Sequence, residues 1–482
     1  MAASLGHKAA VGAIWSTVDR FGYMALQFIV NLVLARLLMP SDFGIIGMLS
    51  VFMAVSQVLI DGGFGSALIQ KKEPTQQDYS TIFYWNLGLS CLLYLILFLI
   101  SPWVGVFFHM PLLSKVLRVI GLSLIISSVY TIQTTKLKKS LAFKHLSIAN
   151  LAAYAVASGI AIVLAYHQWG VWSLVAVQLL YPTVGIIVLA FITKWCPSLY
   201  FSKTILKELF GFGVYMMAAN ILQEVSRNIQ GLIIGRKFSA TQMGFYSQAH
   251  KFDAVTSNTL PQVIGQVMYP AFSSLQSEHE RLRLALSKSV ILISMLTFPL
   301  LGLLILEAAP LIGFLYGDKW LPCVGYYQIF CVGGIFTCLI NINFYVVAAL
   351  GHSKLLFKWS IYKWSFLLGA VLIGMNFGVS GIVWGVVASN ANTYLVNSIL
   401  ANRKLHQSIF VQIGQIGRIL VCVALSLLLA YCFSIVVTDN DILAGLVFVT
   451  VYAISSWILN KDYVDTVCEM IKLITLVSTK KS

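Results

Sequence analysis

A chain of 482 residues that is 59% hydrophobic and only 10% charged is excluded from the ordinary soluble class, whose domains carry about 25% charged residues. No water-soluble core uses that much apolar surface, so lipid is the solvent for most of it. The formal net charge of +15 would suit a nucleic-acid partner, and the placement of the basic residues decides whether that reading is needed.

A helix needs about 20 mostly apolar residues to cross roughly 30 Å of hydrocarbon. In chain order such stretches fall near 12–38, 43–69, 81–108, 116–134, 147–166, 171–193, 209–235, 245–271, 289–315, 324–349, 360–377, 381–401, 419–437 and 442–459. The expected fold class is an all-α polytopic membrane protein of about fourteen transmembrane helices. The first stretch is too long for a signal-peptide core and reads as a retained helix. Connections expected on the outer face are very short, Pro40–Asp42, His167–Gly170 and Thr438–Asp441 among them, and leave no room for an outer domain. The longest inner connection, Ser273–Lys288, reads either as an amphipathic helix on the membrane surface, with Leu275, Leu282 and Leu286 on one face, or as plain linker.

With the N-terminus inside, the inner connections hold 22 of the 32 lysines and arginines, including Lys136, Lys138, Lys139 and Lys144. Outer connections and helix ends hold six: Arg36, Lys115, Arg118, Arg236, Lys237 and Lys319. This is the positive-inside asymmetry of a multi-pass membrane protein, and it leads us to expect an inner-membrane location with both termini cytoplasmic. The basic excess is a matter of topology, and nucleic acid is not needed.

Sliding the chain against itself by 200 residues aligns 20–65 with 220–265 and gives eight identities, among them Arg36/Arg236, Gly44/Gly244 and Gly65/Gly265. Six helices separate the copies, so the repeats run parallel. The expectation is two six-helix lobes related by a pseudo-twofold axis, residues 1–205 and 206–405, followed by a terminal two-helix hairpin and cytoplasmic tail at 406–482.

Charged side chains inside the bilayer cost about 2.5–3.5 kcal/mol each at the centre, so they face water or one another. The first expected helix holds Asp19, Arg20, Gln27 and Asn31, and at about 100° per residue positions 20, 27 and 31 share a stripe. The seventh answers with Asn220, Glu224 and Arg227. The second carries Gln57 and Asp61, the latter just before Gly62-Gly63, and the eighth carries His250, Lys251, Asp253, Ser257 and Asn258. The first two helices of each lobe are thus its most polar spans, which suggests a water-filled cavity between the lobes. Competing readings stay open: Asp19 with Arg20 and Glu224 with Arg227 as structural ion pairs, and Lys251 as a snorkelling side chain.

Catalytic signatures are missing from the sequence. There is no phosphate-binding G-x-x-x-x-G-K-[ST] loop, no H-E-x-x-H, and the G-x-G at Gly211–Gly213 opens a membrane helix, not a helix after a strand. The eight cysteines are scattered without a C-x-x-C pair. An enzyme, a metal site and a bound cofactor are not expected.

The runs L-M-P-S-D-F-G-I-I-G-M-L-S-V-F (Leu38–Phe52), D-G-G-F-G-S-A-L-I-Q-K-K-E (Asp61–Glu73), Y-P-A-F-S-S-L-Q (Tyr269–Gln276) and L-Y-G-D-K-W (Leu315–Trp320) resemble the polysaccharide-transporter, or Wzx-type flippase, family. Within it they look most like the colanic-acid exporter branch. The superfamily also holds lipid II flippases and multidrug-extrusion antiporters, and its members have two six-helix lobes around a central cavity. The resemblance implies export of an undecaprenyl-diphosphate-linked oligosaccharide for lipopolysaccharide, capsule or exopolysaccharide assembly, by alternating access through a cationic cavity. Its partners would be that lipid-linked substrate, membrane lipids and polysaccharide polymerases. Asp19–Arg20 and Lys251 look similar to an acid–base pair in helix 1 and a basic residue in helix 8 of lipid II flippases, while Gln57 and Asp61 stand where those have a basic residue in helix 2. The expected substrate contacts are Arg20, Arg227 and Lys251 with Gln27 and Asn31. Asp19, Glu224 and Asp61 are the expected coupling residues, for H+ or Na+. The alternative on the same scaffold is an ion-coupled multidrug or small-solute antiporter.

Overall fold

The computed structural model describes residues 2–351, 353–436 and 440–469, and every regular element among them is helical. Lipid explains this: with no water to satisfy free peptide groups, a spanning segment must bond its own backbone. The helices are α1 (Ala2–Leu37), α2 (Pro40–Asp61), α3 (Phe64–Gln70), α4 (Gln76–Phe107), α5 (Pro111–Ile120), α6 (Leu122–Lys139), α7 (Phe143–Tyr166), α8 (Val171–Thr193) and α9 (Lys203–Lys237). They continue as α10 (Ala240–Asp253), a π-helical turn (Ala254–Asn258), α11 (Thr259–Ser274), α12 (His279–Leu306), α13 (Ala308–Tyr316), α14 (Val324–Ala349), α15 (Ser353–Gly374), α16 (Gly378–Lys404), α17 (Ile409–Val436) and α18 (Asp441–Leu459). The C-terminal tail from residue 470 and part of the expected outer connection at 438–441 lie outside the described residues.

Local chemistry sets the boundaries. Pro40 and Pro111 occupy the first turns of α2 and α5, where the missing N–H costs nothing. The Asp42 carboxylate accepts from the Met39 amide at 3.0 Å, and Asp78 likewise from Thr75 at 2.8 Å, satisfying donors that a helix start leaves orphaned. α2 stops at Gly62 and Gly63, whose φ values of 52° and 76° lie in the left-handed region that a side chain would strain.

Eleven segments among the described residues are long and apolar enough to cross a membrane. Neither α9 nor α10 with α11 is among the eleven, and α15 and α16 fall within one continuous stretch, Lys358–Lys404. At about 1.5 Å per residue that stretch is far longer than one crossing, and α15 packs back on α16.

By contacts the chain divides into two units, Met1–Gly244 and Phe245–Ser482. In the first, α7 packs on α1 and α8, α8 on α6, and α6 on α4, while α9 lies along α2. Lipid tails are as apolar as leucine, so close van der Waals fit must hold such helices together. The stripe Ala149, Ala153, Ala157, Ala161 and Ala165 on α7 is buried and lets its neighbours approach closely. Ser147 ties α7 to α1 by donating to the Trp15 carbonyl at 2.9 Å. In the second unit α14 packs on α11, α12 and α16, and α17 on α12 and α18. The segment Ser273–Lys288 is neither a surface helix nor a linker. α12 begins at His279, and Leu282 and Leu286 enter the second unit's core with Leu275 against it. Large apolar side chains such as Trp103, Phe191, Phe314 and Phe410 remain exposed, as a lipid-facing surface requires.

Candidate functional site

The costly residues form separate polar stations. On α1, Asp19 turns toward α7, where the Asn150 amide donates to both of its carboxylate oxygens at 3.1 and 3.2 Å. The Asn150 carbonyl in turn accepts from the Tyr130 hydroxyl of α6, and at 3.5 Å from that of Tyr181 on α8. This fixes the amide: its NH2 faces the acid and its oxygen faces the phenols. Tyr23, Tyr154 and Tyr181 stack around the group with ring centroids 4.9–5.9 Å apart, and Tyr181 meets Tyr130 at 5.7 Å. Gly185 makes room for Tyr130, whose ring a Cβ there would overlap. Four helices therefore converge on one aspartate. Arg20 and Gln27 are exposed on α1, and Asn31 is half-buried.

A second station lies on α9. Glu224 and Arg227 form a long i, i+3 ion pair of 3.8 Å, with the Arg227 side chain 62% exposed. Asn228 donates to the Glu224 carboxylate at 3.3 Å and accepts from Ser50 of α2 at 3.0 Å, so the pair is anchored where α9 crosses α2. Among the described residues no hydrogen bond or ion pair joins this station to Asp19.

Asp61 ends α2 and is held by the turn that follows. The amides of Gly63 and Gly65 face its carboxylate, and Lys138 of α6 is near enough to feel its charge. Arg236, in the last turn of α9, contacts the His109 ring at 2.6 Å and lies over Phe107 at 5.2 Å.

In the second unit Lys251 is exposed on α10, while His250 beside it stacks on Tyr246 at 6.0 Å. Asp253 closes α10 and accepts from Ser257 at 2.5 Å across the π-helical turn. The side chain of Asn258 lies outside the described residues.

Several members of these stations escape sequence reasoning. Asn150 and the four tyrosines give no spacing signal, since they meet only when four helices pack. The one local hint is the i, i+4 spacing of Asn150 and Tyr154 inside an otherwise small-residue helix. Lys363, eleven residues into α15, is a mid-span cation that sequence position alone could have flagged. It is half-buried, with its ammonium 6.0 Å from the Phe344 ring. Among the described residues no three His, Cys, Asp or Glu side chains cluster as metal ligands do.

The comparisons with known proteins bear on what such stations serve. Residues 33–325 match the family model described as polysaccharide biosynthesis protein. The lipopolysaccharide biosynthesis protein WzxC of Escherichia coli (strain K12) is 25% identical over 83% of this chain and 81% of its own length. The teichuronic acid biosynthesis protein TuaB of Bacillus subtilis (strain 168) is also 25% identical, over 72% of each chain. The succinoglycan biosynthesis transport protein ExoT of Rhizobium meliloti (strain 1021) is 23% identical over 77% of this chain and 75% of its own. WzxC and TuaB stand at equal identity, so these relatives single out no one glycan branch. Among solved structures, the lipid II flippase MurJ in an inward closed conformation superimposes with a TM-score of 0.74 at 14% identity, covering 94% of this chain and all of that one. An inward-facing multidrug resistance transporter of the MATE family gives 0.63 at 14% identity, covering 82% and 98%. The chain is a multi-pass membrane protein with the fold of these transporters.

Proposed function

We infer, from the premise that this chain belongs to the polysaccharide biosynthesis protein family, that it is a flippase for an undecaprenyl-diphosphate-linked oligosaccharide. The supporting observation is a conjunction: relatives named for polysaccharide biosynthesis and transport, on a fold shared with a lipid II flippase. A hydrated diphosphate-sugar headgroup cannot enter hydrocarbon unaided, because each unpaired polar group costs several kcal/mol there. A cationic, wet path lets the headgroup cross while the polyprenyl tail stays in lipid. No bond is made or broken, so the task needs no catalytic residue and no bound cofactor.

In this reading the protein crosses the inner membrane about fourteen times with both termini cytoplasmic: the eleven apolar segments, with Lys358–Lys404 divided between α15 and α16, together with α9 and with α10 to α11. Two six-helix lobes, 1–205 and 206–405, rock in alternating access, and the residues beyond form a terminal pair. Arg20, Arg227 and Lys251, exposed cations within spans, hold the diphosphate in turn, with Gln27 and Asn31 lining the way. Asp19, Glu224 and Asp61 couple the movement to H+ or Na+. Polysaccharide polymerases would receive the exported unit.

Purified protein in liposomes with a fluorescent undecaprenyl-diphosphate oligosaccharide tests this directly. Transfer of the label from one leaflet to the other is expected. Absence of transfer, together with efflux of cationic dyes by the same liposomes, would establish the antiporter reading that the shared multidrug-transporter fold keeps in view.

A further inference from the structure

We propose that Asp253 is a proton-binding carboxyl that couples this protein to the transmembrane proton gradient, a role that rests on the flippase reading above. Asp253 lies thirteen residues into the helix that starts at Ala240, about 20 Å along its axis at 1.5 Å per residue. That depth is in the hydrocarbon, where a fixed negative charge is expensive and marks an ion or proton path.

The backbone is built around this residue in an unusual way. Immediately after Asp253 the helix enters the π-helical turn Ala254–Asn258, although A-V-T-S-N contains neither glycine nor proline to force one. Such turns insert a residue and displace carbonyls from their regular partners, and they cluster at functional sites. Here the Thr256 hydroxyl donates to the carbonyls of Phe252 at 3.3 Å and Asp253 at 3.1 Å. The turn also brings Ser257, which is buried, into position to donate to the Asp253 carboxylate. Gly334 on α14 is needed for that placement, because a Cβ there would overlap the Ser257 hydroxyl.

Among the described residues the hydroxyl of Ser257 is the one side-chain donor seen on the Asp253 carboxylate, and no ion pair of it is seen. Neither α11 nor α14, which pack on the turn, has any charged residue. α12 also packs there, and its charged residues lie between Glu280 and Lys288, at the opposite end of its span from Leu306. The titratable groups close enough to feel Asp253 are Tyr246, Tyr327 and Cys331. On its own helix His250 is stacked between Tyr246 and Phe330, and Lys251 points from another face. Tyr327 is fully buried, with Thr256 and Cys331 beside its hydroxyl. A carboxyl whose one observed side-chain donor is a hydroxyl is suited to gain and lose a proton. In the cycle, the carboxylate takes a proton from water on the outer side and releases it to water on the inner side. The headgroup moves the opposite way.

The test uses full-length protein in liposomes. Infrared difference spectra on acidification are expected to show a protonated-carboxyl band that is lost in Asp253→Asn. Ser257→Ala, which keeps the carboxyl and removes its donor, should move the midpoint of that band to higher pH. An imposed pH gradient should speed transfer of the fluorescent lipid-linked oligosaccharide, and Asp253→Asn should lose about tenfold or more of that stimulation while gradient-free transfer stays within about twofold. A band or a full stimulation that survives in Asp253→Asn overturns the proposal, as does stimulation by a sodium gradient in place of the pH gradient. Should the wild type show the Asp253-dependent band yet move no lipid-linked glycan, the proton site stands and the flippase reading falls.

Discussion

Two aspartates within spanning helices are settled in opposite ways. Asp19, in the first unit, receives two amide hydrogen bonds from Asn150, which two phenols hold in place, so its charge is dispersed over a network drawn from four helices. Asp253, in the second unit, has a single hydroxyl and an irregular turn of its own helix. A buried polar network is worth more when every member is satisfied, and the Asn150 amide has a partner on each side. The contrast teaches that charged groups at similar cost are settled by very different means: by partners from several helices in one place, and by an irregular turn of the residue's own helix in the other.

The largest effects would break this contrast at its cations. Charge reversal of Arg20, Arg227 and Lys251, one at a time, should abolish surface polysaccharide with membrane protein level unchanged. The Arg227–Glu224 pair is long and exposed, and such pairs contribute about 0–1 kcal/mol, so the fold survives its loss. Full export by the Arg20→Glu, Arg227→Glu and Lys251→Glu variants would show that neither unit uses these cations on the substrate. Next comes Asn150→Leu, which strips both donors from Asp19; the melting temperature of purified protein should fall by an amount equivalent to about 2–3 kcal/mol. Ser257→Ala, by contrast, should cost about 1 kcal/mol in the same melt, and equal losses would erase the distinction between the two stations. Tyr130→Phe, removing one phenol while keeping the ring stack, should cost about 1 kcal/mol. Smallest of all, Gly88→Ala on α4 places a methyl where no atom lies within 4 Å and should leave melting and export unchanged.

Much of the architecture was legible in the residues. Apolar runs of about 20 residues, proline at helix starts and Gly62-Gly63 at a helix stop act locally, and a sequence displays local causes directly. The family resemblance rested on such local runs and agrees with the family match over residues 33–325. The Asp19 station was half legible. Its acid is visible as a charge in a span, but Asn150, Tyr130 and Tyr181 lie more than 100 residues away and converge only through packing. The segment at 273–288 misled because its leucines repeat on one face whether that face meets headgroups or protein, and Leu282 and Leu286 meet protein. The π-helical turn had no signal in its composition.

One contact within the first unit has a reciprocal form. A Cβ at Gly44 would overlap the Ala240 carbonyl oxygen, and one at Gly244 would overlap the Pro40 carbonyl oxygen. Each partner sits 200 positions from its counterpart, so the seam reads the same from either side. Bare backbone meets bare backbone there, so both halves of the seam depend on the same missing side chain. A single methyl group on either face would jam the seam.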